Sequence, residues 1–305
     1  MRKKGFSKMI PNGSKWVQNC GEVLTVIEFL GGVNFKVKFE DTEVFMAQHK
    51  EIRNGGVLNK NCKNVLGVGY TGYGKYKAKV GRNNTPAYEV WRGMIRRCYD
   101  KKYIDYSRYG GSGVYVHQDW HNFQNFAEWY YTALAGLPEV NTKFDVDKDL
   151  KGLGFYSETS CILLPYKLNN FIQNKKFSSG VGYVKNTNNP HGKITVTVSL
   201  LGKQVYVGLC ETQAEADREY NIAKNYVNTK MASAFFSEKL ITKETSLMIS
   251  HRNNNFSEVE EVELFKDRTT LKRRIDGLFE DKNNLLERCK GKISCEIYLD
   301  NIEKV

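Results

Sequence analysis

No run in this 305-residue chain approaches the ~18 consecutive apolar residues that a membrane-spanning helix needs, so no membrane partner is expected. The N-terminus, Met1-Arg2-Lys3-Lys4, leads into Gly, Ser, Pro and Asn, not an apolar core, and no secretory signal is expected from it. The seven cysteines at 20, 62, 98, 161, 210, 289 and 295 are odd in number and form no C-x-x-C pair. They read as reduced thiols of a cytoplasmic protein, without a structural zinc site. The glycine-tyrosine stretch from Gly67 to Tyr76 is not followed by Gly-Lys-Ser/Thr, which excludes a phosphate-binding P-loop. It reads as a short hairpin or linker whose lysines and tyrosines meet backbone phosphates. Acidic residues are outnumbered, 34 against 46 Lys and Arg, giving a net charge of +12. That excess favours a polyanion, nucleic acid being the commonest, over a merely solvated basic surface. The length implies two or more domains.

The clearest local pattern lies in residues 179–235. From Lys193 to Leu200 aliphatic and polar residues alternate strictly, as on a strand with one buried face. Leu201-Gly202-Lys203 reads as a hairpin turn. The return strand is expected to place Val205, Val207 and Leu209 inward, and Gln204 and Tyr206 outward. Thr212 with Glu215 forms a capping box. Ala216, Tyr220, Ala223 and Val227 then line one face of a helix. The expectation is a three-stranded sheet covered by one helix, its polar face open either to a DNA major groove or simply to water.

Gly180-Val181, Gly192-Lys193, Val207-Gly208, Thr212, Glu215-Ala216 and Tyr220 resemble the DNA-binding domain of plant ethylene-response factors, the Apetala-type domain. The resemblance implies that His191, Lys193, Thr195, Thr197, Gln204 and Tyr206 face DNA, with Lys185 nearby. Where the plant domains carry arginines on the first strand, this chain has Gly182 and Val184, which argues against arginine–guanine readout.

Residues 14–60 read as a small Tudor-like β-barrel. Val23, Val26, Ile27, Phe35, Val37 and Phe39 supply its strands, and Gly31-Gly32 a turn. An accessory DNA or protein contact and a stabilising cap are both open as its role. From Tyr88 to Cys98 a helix is expected, with Val90, Trp91, Met94, Ile95 and Cys98 on one side. Arg92, Arg96 and Arg97 form a cationic edge for a duplex on the other. Trp120, Phe123, Phe126, Trp129 and Tyr130 read as a second helix whose aromatics are core.

In residues 61–175 the chemistry-bearing stretch is 144–172. Phe144 to Leu150 packs three carboxylates, Asp145, Asp147 and Asp149, around Lys148. Gly152, Gly154 and Ser157 make a turn, Ser160 to Leu164 a returning strand, and Pro165 to Phe171 a helix carrying Asn169 and Asn170. This strand-turn-strand-helix order outlines a ββα unit that can hold one divalent cation against a scissile phosphate. The order resembles the HNH nucleases, and the resemblance implies that Asp147 and Asn169 hold the metal (Mg or Mn) with Lys148 as the third catalytic residue. Lysine stands where that family carries its general-base histidine. A protonated ammonium cannot take a proton from water, so Lys148 is expected to neutralise phosphate charge. Asp145, Asp149 and Glu158 remain candidates for the base, while His117 and His121 read as structural.

Taken together, the barrel, the Tyr88-to-Trp120 stretch, Asp147-Lys148-Asp149 and the Apetala-type domain are similar to phage HNH homing-type endonucleases. Val146 to Leu150, Tyr156 to Pro165 and Leu168-Asn169-Asn170 are the most alike. Relatives often carry His two positions ahead of the Asp-Lys-Asp; this chain has Asp145. The resemblance implies a bacteriophage protein in the cytoplasm of an infected bacterium, acting on double-stranded DNA. A catalytically degenerate DNA-binding or regulatory protein is the alternative, and capture of a host factor a remoter one. Residues 236–305 read as a helical extension, its irregular apolar stripe over 257–290 serving a coiled-coil homodimer or docking on the body. Cys295 to Leu299 reads as a terminal strand. The expected fold class is thus α+β and multidomain: small N-terminal β-barrel, HNH-like ββα-metal element, three-stranded sheet plus helix, and C-terminal helix.

Overall fold

The computed structural model describes residues 10–137, 143–172, 192–200 and 203–251, with 273, 275–277 and 279 from a further helix. The expected first strand of the 179–235 sheet, Lys185, His191, the Leu201-Gly202 turn, most of the 257–290 helix and the terminal strand lie outside the described residues. The chain divides into two compact units, one ending at Glu128 and the next starting at Trp129. The architecture is α+β. Among the described residues the sheets are small and antiparallel, and none closes into a barrel. No helix described is long and apolar enough to cross a membrane.

In the first unit β1 (Lys15–Val17), β2 (Val23–Gly31), β3 (Asn34–Lys38) and β4 (Phe45–Gln48) pair in chain order. Leu24, Val26, Phe35, Val37 and Ala47 point to one side and form a core with Ile52 and Val57. The expected barrel is corrected here to an open meander. After only four residues β4 gives way to α1 (His49–Arg53), started by a capping box of Gln48 and Glu51, so no described strand is left to pair with β1. The Gln18 side chain holds the loop after α1 against β1 instead. Its Nε2 donates to the Ile52 carbonyl at 3.4 Å, and its Oε1 accepts from Val57 N at 3.0 Å.

The hairpin β5 (Lys79–Val80) and β6 (Asn83–Asn84) leads into α2 (Pro86–Tyr99), whose proline needs no hydrogen-bond partner at the first turn. Trp91, Met94, Ile95 and Cys98 are buried, and Arg92 and Arg96 are exposed, as the periodicity predicts. Trp91 Nε1 donates to the Trp120 carbonyl at 2.7 Å. Its ring meets Tyr88 and Phe123. Gly69 lies against that indole, where a Cβ would stand 2.8 Å from Cζ2. Trp120 belongs to a 3-10 turn, Gln118–His121, and not to the helix that follows, α3 (Phe123–Ala135). Phe123, Phe126 and Tyr130 are core, as expected.

The second unit holds β7 (Phe144–Asp147), β8 (Ile162–Pro165) and α4 (Tyr166–Ile172). It continues with β9 (Ile194–Leu200), β10 (Lys203–Cys210), α5 (Gln213–Ser237) and α6 (Lys243–His251). The alternation from Lys193 gives β9 a fully buried aliphatic face, Ile194, Val196, Val198 and Leu200. Thr212 and Glu215 form the capping box, and Ala216, Ala223 and Val227 are buried, with Tyr220 packed beside them. α5 packs on both strands and α6 packs on α5. Beyond, Ile275 is wholly buried, and Asp276 accepts from Tyr226 Oη at 2.7 Å and pairs with Lys230 at 2.9 Å. This turn of the C-terminal extension therefore docks on α5.

Candidate metal centre and nucleic-acid interface

The ββα order stands as the sequence predicts it. β7 and β8 pair antiparallel, with Phe144 opposite Pro165 and Asp147 opposite Ile162. Pro165 cannot extend the ladder and ends β8, and α4 starts at once, Tyr166 N donating to the Lys143 carbonyl at 2.7 Å. α4 packs on both strands, so the helix bearing Asn169 lies against the strand that ends in Asp147. The connecting loop is fastened by hydroxyls. Ser157 N donates to Ser160 Oγ at 2.9 Å, Ser160 N to Ser157 Oγ at 3.1 Å, and Ser160 Oγ to the Phe155 carbonyl at 2.6 Å.

Asp147 is only 3% exposed. Its Oδ1 accepts from Asp149 N at 3.0 Å and Leu150 N at 2.7 Å, an Asx-type turn that swings the chain off the strand. Burial pushes the neighbouring Cys161 thiol up to about 11, with the Asp147 charge adding to the shift. Lys148 is 7% exposed; its ammonium pairs with the Asp149 carboxylate and lies 6.0 Å from the centre of the Tyr156 ring. Asn169 is 5% exposed, and its Oδ1 is buried without a hydrogen-bond partner among the described residues. Of the candidate bases, Asp149 is held by Lys148, Asp145 lies 3.7 Å from Lys143, and Glu158 is exposed.

Hard divalent cations take oxygen ligands, and Mg²⁺ commonly keeps waters and substrate phosphate beside one or two protein ligands. A buried carboxylate and a buried amide oxygen that lacks a donor among the described residues fit that requirement. No group of three or more His, Cys, Asp or Glu side chains suited to a metal occurs among the described residues. His117 and His121 are engaged locally in the first unit. His117 Nδ1 accepts from Asp119 N at 3.4 Å. His121 Nε2 meets the Val116 carbonyl at 3.0 Å, and burial lowers its pKa.

The described outer face of the β9–β10 hairpin is polar and nearly neutral. Thr197 stands opposite Tyr206, which is 43% exposed, and Ser199 opposite Gln204. Thr195 and Thr197 are half-buried and Gln204 exposed. Lys193 pairs with Glu211 at 3.0 Å, so its charge is shared with an acid. The return strand departs from strict alternation. A register shift between Tyr206 and Gly208 leaves Val207 as the extra residue of a bulge, and every later side chain changes face. Leu209, expected inward, is 51% exposed opposite Thr195, while Cys210 is buried. The glycine at 208, inside an otherwise regular strand pattern, is the sequence signal of such a bulge.

One residue that no motif singles out ties the two halves of this unit together. Lys224, buried on α5, donates from Nζ to the Phe171 carbonyl at 2.6 Å and lies 3.7 Å from the centre of the Phe171 ring. It thus caps the C-terminal end of α4, two residues beyond Asn169, where a cation complements the helix dipole. Arg92 and Arg96 belong to the first unit; Arg96 meets Asp100 at 3.4 Å and covers the Tyr103 ring at 4.6 Å. No family model matches the sequence, and no curated protein or solved structure matches it either.

Proposed function

We propose that this protein binds double-stranded DNA and hydrolyses its phosphodiester bonds with a divalent metal, in the manner of phage HNH homing-type endonucleases. The supporting observation is the buried Oδ1 of Asn169, without a donor among the described residues, on the helix of a ββα unit whose first strand ends in the buried Asp147. An unsatisfied buried acceptor costs ~1–3 kcal/mol, and a cation that accepts its lone pair offsets that cost. A bound Mg²⁺ or Mn²⁺ would polarise the scissile phosphate as a Lewis acid. Asp147 and Asn169 would hold it, the Asx turn keeping the carboxylate fixed. Lys148 supplies positive charge but no acceptor, so the proton of the attacking water goes to another group, with Asp149 the nearest carboxylate in its network.

The alternative, a DNA-binding protein without catalysis, is favoured by one observation. Oδ1 of Asp147 already satisfies two backbone N–H groups, a complete structural reason for an aspartate there. Supercoiled plasmid separates the two readings. Nicking that needs Mg²⁺ or Mn²⁺, stops with chelator and is abolished by Asp147→Ala or Asn169→Ala supports hydrolysis. A gel shift without nicking, unchanged in those variants, supports binding alone, and neither signal at low salt ends both readings.

A further inference from the structure

The positive charge of this chain does not sit where its most sheet-like motif sits. Residues 60–110 hold twelve Lys and Arg against three Asp and Glu, nine of the chain's net +12. Residues 192–237, which contain the β9–β10 hairpin and α5, hold five against four. Association with duplex DNA is dominated by neutralised phosphates, so a nearly neutral hairpin cannot supply most of the affinity.

Resting on the DNA-binding reading above, we infer that the first unit carries the main phosphate-contacting surface, along the β5–β6 hairpin and the outer stripe of α2. Lys79 and Arg82 lie on the hairpin and Arg92 on the helix, and all three are exposed. None of them is drawn into an ion pair within the described residues, whereas Lys75, Arg96 and Arg108 meet Glu128, Asp100 and Asp105. The hairpin is fixed to the helix. Thr85, the residue before the first turn, donates from Oγ1 to the Lys77 carbonyl at 2.9 Å and from N to the Ala78 carbonyl at 3.0 Å. The cations therefore keep a set spacing. Beyond the helix, Lys101 and Lys102 are exposed and extend the run. The Tyr103 ring holds the Arg96 guanidinium at 4.6 Å, and the Tyr109 ring holds that of Arg97 at 5.2 Å. Fourteen helical residues span about 21 Å. A duplex presents one charge per ~1.7 Å, so about a dozen phosphate charges fall within that length.

The test is fluorescence anisotropy of the full chain with a labelled random-sequence duplex across a salt series. Lys79→Gln, Arg82→Gln and Arg92→Gln combined should weaken binding at least tenfold. They should also reduce the slope of log K against log salt by about 0.9 for each phosphate no longer neutralised, up to about 2.7. The single variants should each reduce it by about 0.9, and all should keep the wild-type melting temperature. Thr197→Ala with Tyr206→Ala should leave the slope unchanged. Wild-type affinity and slope in the triple variant would overturn the inference and leave DNA binding standing. A wild-type chain that binds no duplex at low salt, or only phosphatidylglycerol vesicles, would overturn both.

Discussion

Replacing Asn169 with leucine separates a ligand-holding amide from a merely structural one. The side chain is 5% exposed and its Oδ1 has no donor among the described residues. An apolar side chain of similar volume removes an acceptor whose desolvation costs ~1–3 kcal/mol, and leucine is the better helix former by a few tenths of a kcal/mol. In chelator the variant should therefore match wild type or exceed it by up to ~3 kcal/mol. In Mn²⁺ the difference should shift toward wild type by about 2.7 kcal/mol. A ligand at a hundred times its dissociation constant stabilises the folded state by about 2.7 kcal/mol, a gain open to wild type and closed to the variant. Urea denaturation followed by tryptophan fluorescence, with chelator and then with Mn²⁺, reads both numbers. A variant more than ~1 kcal/mol less stable in chelator would show that the amide oxygen has a protein donor. An equal metal-induced gain in both proteins would remove Asn169 from the metal.

Four further outcomes follow from local geometry. Gly110→Ala should cost about 3 kcal/mol in thermal melts, the upper end for overpacking, because the added methyl would overlap the Cys98 carbonyl oxygen. Gly93→Ala, on α2 with nothing nearer than 3.5 Å, should instead stabilise by ~0.5–1 kcal/mol in the same thermal melts. The Cys161 thiol is raised from 9.0 to about 11, so the unfolded chain ionises first and stability falls as pH rises between those values. Cys161→Ala should flatten that loss by about 2–3 kcal/mol, and parallel pH–stability curves of the two proteins would refute the burial argument. Thr212→Ala, deleting the Oγ1 that accepts from Glu215 N at 3.2 Å, should cost about 1 kcal/mol in urea, with no loss if the cap is frayed in solution.

What the sequence disclosed was whatever a single element decides. The alternation from Lys193 to Leu200 needs only one buried face, the Thr212–Glu215 box only one helix start, and the Trp91 stripe only one period. The strand-turn-strand-helix order around Asp147 and Asn169 was legible for the same reason. What it hid depends on partners from elsewhere in the chain. The open edge between β1 and β4 follows from Gln18 reaching the loop beyond α1. The neutralising of Lys193 needs Glu211 from the far end of the hairpin. The exposure of Leu209 hangs on one extra residue at 207, which strict alternation cannot anticipate. Lys224 looked like any surface lysine until the end of α4 was placed beneath it.

That lysine bears on how the protein can be dissected. A fragment stopping near residue 175 would keep every residue of the ββα unit yet leave the Phe171 carbonyl without its ammonium and the last turn of α4 open to water. Anyone trimming this chain to isolate the ββα unit should therefore carry it on through α5.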